Sequence, residues 1–354
     1  MTGTVHTIRL AARSGFCYGV REALDAAVLA GIDGRTATLG AIVHNEGANE
    51  RLRAAGVREI ETLAEAPDGS TVVIRAHGTT PAVRAEAAAR DLRIVDGTCS
   101  WVTAEHRQME KLVASGATII LLGTPGHPET VGLLGYAPEA IVVDDESEWA
   151  VKIPSRKRMA LISQSTQPPY KFERLAAFMA ARAHELTVIN TVCPVTIRRQ
   201  ADTVELARSV DAVVVVGGKK SANTRELVRL VEEIEQKPTL FVGSADEITD
   251  PAFFVGHATI GITGGTSTPI EDLAAVARRV IEIAGTIEAT ASIEQLVAAA
   301  LSSGADRAHR TTSVPPTASI APVDTSEAES KLGGGSDSSV RGPHGATRRS
   351  LPPR

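Results

Sequence analysis

The sequence predicts an α/β protein made of three similar small units, and two observations carry that reading. Short β-branched runs alternate with Ala/Glu/Arg-rich helical stretches over about 270 residues. Continuous apolar strands flanked by helices are the mark of parallel sheets covered on both faces. The chain's three cysteines, Cys17, Cys99 and Cys193, stand 82 and 94 residues apart, roughly one small α/β unit each.

In chain order, the first unit, 1–99, is expected to hold helices over 20–30, 46–55 and 81–90, with strands over 71–75 and 93–96. The helix at 81 opens on Thr80-Pro81, a capping hydroxyl followed by a proline whose missing N–H costs nothing there. The second unit, 100–192, reads as helices over 102–114 and 170–184 with strands over 118–123, 140–143, 160–163 and 187–190. The third, 193–301, has helices over 196–209, 224–235 and 269–283 and strands over 212–217, 239–243 and 259–263. From Ser302 the composition turns to Ser, Thr, Pro, Gly, Asp and Arg. Such a tail, 302–354, buries too little apolar surface to order itself and is expected to be disordered.

Composition excludes whole classes. Lys and Arg number 37 against 42 Asp and Glu, the formal charge is −5 and aromatics make up 3%, so there is no basic, aromatic-interleaved stripe for nucleic acid. No segment approaches the ~20 apolar residues of a membrane span, and residues 1–10 lack the apolar core of a signal sequence. A cytoplasmic protein is expected. An odd number of cysteines without framework spacing fits a reducing compartment, where thiolates stay available for metal.

Each cysteine sits beside Gly, Thr or Pro where a strand should give way to a loop. A lone intracellular cysteine is ordinarily a small buried side chain. Three at element ends point instead to thiolates converging on a metal or an iron–sulfur cluster, with one coordination position left for a substrate. A Cys₃ zinc site is the alternative. Several loops pair polar side chains with Gly or Pro: Val43-His44-Asn45, Ala76-His77-Gly78, Gly126-His127-Pro128-Glu129, Gln164-Ser165-Thr166, Ser221-Ala222-Asn223 and Ser267-Thr268-Pro269. Singly these are ordinary caps and turns. Together they form a hydrogen-bond donor set suited to a diphosphate, with Ser267 at the positive end of the helix that Thr268 and Pro269 begin. There is no P-loop and no GxGxxG after a strand, which argues against ATP or a dinucleotide. Glu129, two residues after His127, is a candidate proton donor if burial raises its pKa.

In order and identity these segments resemble the 4-hydroxy-3-methylbut-2-enyl diphosphate reductase (LytB) family over about residues 8–285. The resemblance implies a pseudo-threefold arrangement of the three units around a [4Fe–4S] cluster held by Cys17, Cys99 and Cys193, with the fourth iron open to the substrate hydroxyl. His44, His77, His127, Ser221, Asn223 and Ser267 would hold the diphosphate. Glu129 and Ser165 would form the route that protonates the leaving hydroxyl, and two electrons would come from an external donor such as ferredoxin or flavodoxin. A monomer is expected. The chain departs from the family pattern at Ser165, usually Thr, at Ala222, usually Ser, at Ser100-Trp101, usually Pro-Leu, and at Pro194. These departures keep three other readings in view: a paralogue for another allylic diphosphate, a redox-neutral hydro-lyase and a cluster-bearing sensor.

Overall fold

The computed structural model of the chain describes residues 5–31, 34–43, 45–284, 293–302 and 317–320, all within a compact unit spanning Met1–Ile320. Strand β1 (Thr7–Leu10) leads through a loop to α1 (Tyr18–Gly31), β2 (Thr36–Leu39), α2 (Glu46–Ala54), β3 (Arg58–Ile60), β4 (Thr71–Ile74), α3 (Pro81–Ala89) and β5 (Arg93–Asp96). Next come α4 (Ser100–Ala114), β6 (Thr118–Leu122), α5 (Pro128–Tyr136), β7 (Ile141–Val143), α6 (Glu146–Lys152), β8 (Arg156–Ser163), α7 (Pro169–Ala180) and β9 (Ala183–Ile189). The third stretch holds α8 (Pro194–Arg208), β10 (Ala212–Val216), α9 (Ala222–Arg229), β11 (Thr239–Val242), β12 (Thr259–Gly264) and α10 (Ile270–Ala284), followed by α11 (Ile293–Ser302) and β13 (Thr317–Ile320).

Three sheets result, in the orders β3-β2-β4-β5, β13-β9-β8-β6-β7 and β1-β12-β10-β11. All pairs are parallel except β13 on β9. Within each sheet the first strand lies between the second and third, and the fourth lies outside the third. The topology is therefore repeated three times, with one exchange: the fourth strand of the last sheet is β1, which pairs Leu10 with Ile262. This corrects the first unit as drawn from the sequence, because residues 7–10 complete the third sheet and not the first. The reason is non-local pairing, to which cysteine spacing is blind.

The packing repeats too. In β10, Ala212, Val214 and Val216 pack with Leu273, Val276 and Val280 of α10, while Val213 and Val215 face Leu206 and Leu227 of α8 and α9. Alternate residues of a strand point to opposite faces, so an unbroken Ala-Val₄ run serves helices on both sides. In β6, Ile120 and Leu122 meet Phe172, Leu175 and Met179 of α7, and Ile119 and Leu121 meet Met109, Leu112 and Leu133 of α4 and α5.

Several elements were not foreseen. Strands β2 and β3 are short, and TATL and REI carry no β-branched run long enough to stand out. Helix α5 contains Gly132 and Gly135 and follows a Gly/Pro loop, which hides its start. The expected helix over 170–184 stops at Ala180, and β9 begins at Ala183. The expected disordered tail, 302–354, lies outside the described residues except for Ser302, the end of α11, and Thr317–Ile320, an antiparallel edge strand. Among the described residues no helix is long and apolar enough to cross a membrane.

Candidate functional site

Each cysteine stands at the same point of the repeat, where a fourth strand gives way to the helix opening the next unit. Cys99 and Cys193 are the N-caps of α4 and α8, and Cys17 directly precedes α1. The carbonyl of each accepts the first helical hydrogen bond: from Arg21 to Cys17 at 3.0 Å, Thr103 to Cys99 at 2.9 Å and Ile197 to Cys193 at 3.1 Å. Each cysteine N–H donates to the loop that follows the third strand of its sheet, at Thr266 (3.0 Å), Ala76 (3.1 Å) and Ser165 (2.8 Å) respectively. Three helix N-termini thus present three sulfurs, a placement that favours thiolate.

The cysteine segments also hold one another. A Cβ at Gly19 would lie 2.6 Å from the Cys99 sulfur, so only glycine lets α1 approach that closely. The Trp101 indole N–H donates to the Thr191 carbonyl at 2.7 Å, tying the Cys99 helix to the Cys193 loop. Pro194 occupies the first helical position, where its lost N–H is harmless. Burial pushes the Cys99 thiol up against the opposing N–H groups of Trp101 and Val102. Cys193 is raised first by burial and then by the charges of Cys17 and Cys99, so it lies in the field of the other two sulfurs. Among the described residues no three His, Cys, Asp or Glu side chains are arranged to hold a single metal ion. Three thiols at equivalent helix N-termini fit a larger group that takes one thiolate from each unit.

A second set of side chains lines a cavity of about 50 Å³ that includes His77, His127, Ser221, Ala222, Asn223 and Ser267. The His77 and His127 rings meet edge to face at 5.3 Å. His127 Nδ1 accepts the Glu129 N–H at 3.2 Å, so in the neutral ring Nε2 carries the hydrogen and is the donor. Asn223 is buried with both amide heteroatoms unpartnered, which is costly unless a ligand satisfies them. Ser221 caps α9 through Thr224 N–H at 3.3 Å. Thr268 does not act as the expected cap: α10 begins at Ile270, and the Thr268 hydroxyl donates to the Val216 carbonyl at 3.0 Å. His44 lies outside the described residues, while its neighbour Val43 lines the cavity.

Glu129 and Ser165 are not in that lining but bond to each other. The Ser165 N–H donates to Glu129 Oε1 and its hydroxyl to Oε2 at 2.9 Å. Glu129 is 1% exposed, and burial raises its pKa against the pull of the Ser165 donors. Sequence reasoning missed three positions. Thr166 lines the cavity and accepts from Gln164 Nε2 at 2.6 Å. Arg199 on α8 is buried and donates to the carbonyls of Gly264 at 3.1 Å and Gly15 at 2.8 Å, fixing the loop ahead of Cys17. Glu105 on α4 is buried beside Glu129. Thr166 belongs to the Gln164-Ser165-Thr166 segment but has no role of its own in the sequence reading, whereas an Arg and a Glu inside helical stretches read as surface residues and nothing local marks them otherwise.

Fold and site together define a class: a three-sheet α/β protein with one cysteine at the equivalent helix N-terminus of each unit and a small cavity lined by histidine, hydroxyl and amide side chains. The LytB protein family matches residues 8–281, and the chain belongs to that family. A 4-hydroxy-3-methylbut-2-enyl diphosphate reductase from Pelobacter propionicus is 38% identical over 73% of this chain and 92% of its own length. One from Geobacter metallireducens is 35% identical over 78% of this chain and 97% of its own length. A solved structure described as (E)-4-hydroxy-3-methyl-but-2-enyl diphosphate reductase, the terminal enzyme of the non-mevalonate pathway, is similar at 33% identity and a TM-score of 0.59, covering 79% of this chain and 100% of that one. The Plasmodium falciparum E-1-hydroxy-2-methyl-but-2-enyl-4-diphosphate reductase, at 22% identity and a TM-score of 0.73 over 81% of this chain and 92% of its own, shares the fold. Family membership implies an iron–sulfur cluster.

Proposed function

We propose that the chain catalyses the reductive dehydroxylation of 4-hydroxy-3-methylbut-2-enyl diphosphate to isopentenyl and dimethylallyl diphosphates, the last step of the methylerythritol phosphate route. The observation that carries this reading is a buried, hydroxyl-bonded carboxyl, Glu129, whose own backbone N–H holds His127 of a donor-lined cavity in which Asn223 is unpartnered. Cys17, Cys99 and Cys193 would hold a [4Fe–4S] cluster, which supplies an open iron for the substrate oxygen and a route for electrons.

The residues of the chain do the rest. His77, His127, Ser221, Asn223 and Ser267, with His44, bind the diphosphate through charge-assisted hydrogen bonds. That grip fixes the allylic hydroxyl in one orientation, and the apolar walls at Val20 and Val43 exclude water from it. Glu129 delivers a proton to the leaving oxygen, and Ser165 holds the carboxyl in place by bonding both of its oxygens. Two electrons and two protons enter per turnover: one proton leaves with the oxygen as water and the other ends on carbon. A ferredoxin- or flavodoxin-type donor brings the electrons, and the enzyme works as a monomer.

The test is anaerobic purification with iron and acid-labile sulfide analysis, followed by assay of the diphosphate substrate with and without a one-electron reductant. Bound iron and sulfide with reductant-dependent product is the expected outcome. Water loss without reductant would replace the reading with a hydro-lyase, and a colourless zinc protein would remove the cluster.

A further inference from the structure

Glu105 lies on α4, six residues after Cys99, and is 1% exposed although a mid-helix glutamate ordinarily faces water. Neither carboxyl oxygen meets a hydrogen-bond donor. The group facing it from another element is the Glu129 carboxyl, and from its own helix it feels the charge of Cys99. An anion there would be desolvated, undonated and beside a second carboxyl, which costs far more than remaining neutral. Glu129 is different, because the Ser165 N–H and O–H supply the donors an anion requires. The pair is unequal. One carboxyl is equipped for a negative charge and the other is not, so a proton shared between them resides on Glu105 and points at Glu129.

We propose that Glu105 is a positioning residue that stores the proton Glu129 delivers, its neutral carboxyl donating to Glu129 and reloading it during turnover. This rests on the reading of Glu129 as the acid. The Glu105 O–H bond breaks and a new O–H forms on Glu129. As the substrate C–O bond breaks, the oxygen leaves with the bonding pair and takes that same proton from Glu129, forming water, so one proton is drawn through the pair and Glu129 is again a carboxylate. Glu105, left as carboxylate, regains a proton from solvent before the next cycle. The two electrons come from the one-electron donor, and the proton that ends on carbon is separate from this relay.

The experiment is infrared spectroscopy of the holoenzyme carrying isotope-labelled glutamate, combined with turnover against pH for Glu105→Gln, Glu105→Asp and Glu129→Gln. A protonated glutamate band at neutral pH is expected in the unmodified holoenzyme and is expected to vanish in Glu105→Gln. Turnover of Glu105→Gln should fall on the order of 10²-fold and recover partly as pH drops, because Glu129 must then load from solvent. Glu105→Asp should restore part of the rate at neutral pH. Absence of any protonated glutamate in the unmodified holoenzyme overturns the proposal without need of a variant. So does a Glu105→Gln enzyme with unchanged rate and pH profile while Glu129→Gln is inactive. Full activity of Glu129→Gln overturns the underlying acid assignment instead.

Discussion

Glu46 and Glu129 occupy the same place in two of the three units, six residues after the glycine that closes the first strand, and their surroundings could hardly differ more. Glu46 is 71% exposed at its side chain and pairs with Arg53 of its own helix. Glu129 is 1% exposed and accepts hydrogen bonds on its two oxygens from the N–H and hydroxyl of Ser165, in another strand's loop. The third unit has Asn223 at this offset, buried and unpartnered. The repeat fixes where the backbone turns into a helix, and the neighbours decide the chemistry. Around Glu129 these are the Ser165 loop and α4, which bring a donor pair and a second carboxyl; around Glu46 there is solvent.

The comparison extends to the cysteines, which are equivalent in backbone and are expected to be equivalent in consequence. Cys17→Ser, Cys99→Ser and Cys193→Ser should each abolish turnover and cluster retention, measured as iron and acid-labile sulfide per chain, because a hydroxyl is a poor ligand for iron. A variant retaining full iron would break the threefold equivalence. Next in size is Ala222, flanked by two cavity donors in the third unit. Ala222→Ser should tighten diphosphate binding by about 1.5–3 kcal/mol at most, the worth of one bond to a charged group, as read by calorimetry. No gain would mean that the cavity is already satisfied at that corner.

The buried carboxyl pair also has a cost in stability with a definite sign. Burial, then the charge of Glu129, raises the pKa of Glu105 well above its ordinary 4.5. The native state therefore holds a proton that the unfolded chain has released, and stability present below pH 4.5 is lost as pH rises toward the folded pKa. Glu105→Leu should remove that slope, which is about 1.4 kcal/mol per pH unit for one proton. Unfolding midpoints of the two proteins should accordingly diverge with rising pH, the variant becoming the more stable. The smallest effect belongs to Glu46: Glu46→Gln loses only a surface ion pair and should change turnover less than about twofold.

Much of this was legible in the sequence, and what was not has physical reasons. The Ala-Val₄ run of β10 reads as a two-faced buried strand because both of its faces are covered. Cysteines beside Gly, Thr and Pro read as the ends of strands, while their place at helix N-termini shows only in the fold. Strand β1 could not be placed, since what makes it part of the third sheet is β12, some 250 residues away. Glu105 was invisible for a related reason: burial of a polar helical residue depends on what packs over it, and here that is α5, whose own start is masked by a Gly/Pro loop. The repeat itself shows in sequence only once the strand ends are known. Gly40, Gly123 and Gly217 then align, followed at equal distance by His44, His127 and Ser221.

The central claim is that Glu129, and not its repeat-equivalent Glu46, supplies the proton for loss of the substrate hydroxyl. Glu129→Gln preserves shape but cannot deliver a proton, so anaerobic single turnover of the reduced variant separates binding from chemistry. The expected result is an intact cluster, a normal substrate-induced spectral change and product formation slowed about 10²–10⁴-fold. Product formed at the unmodified rate, with binding unchanged, would contradict it and move the acid to Ser165 or to His127 of the cavity lining.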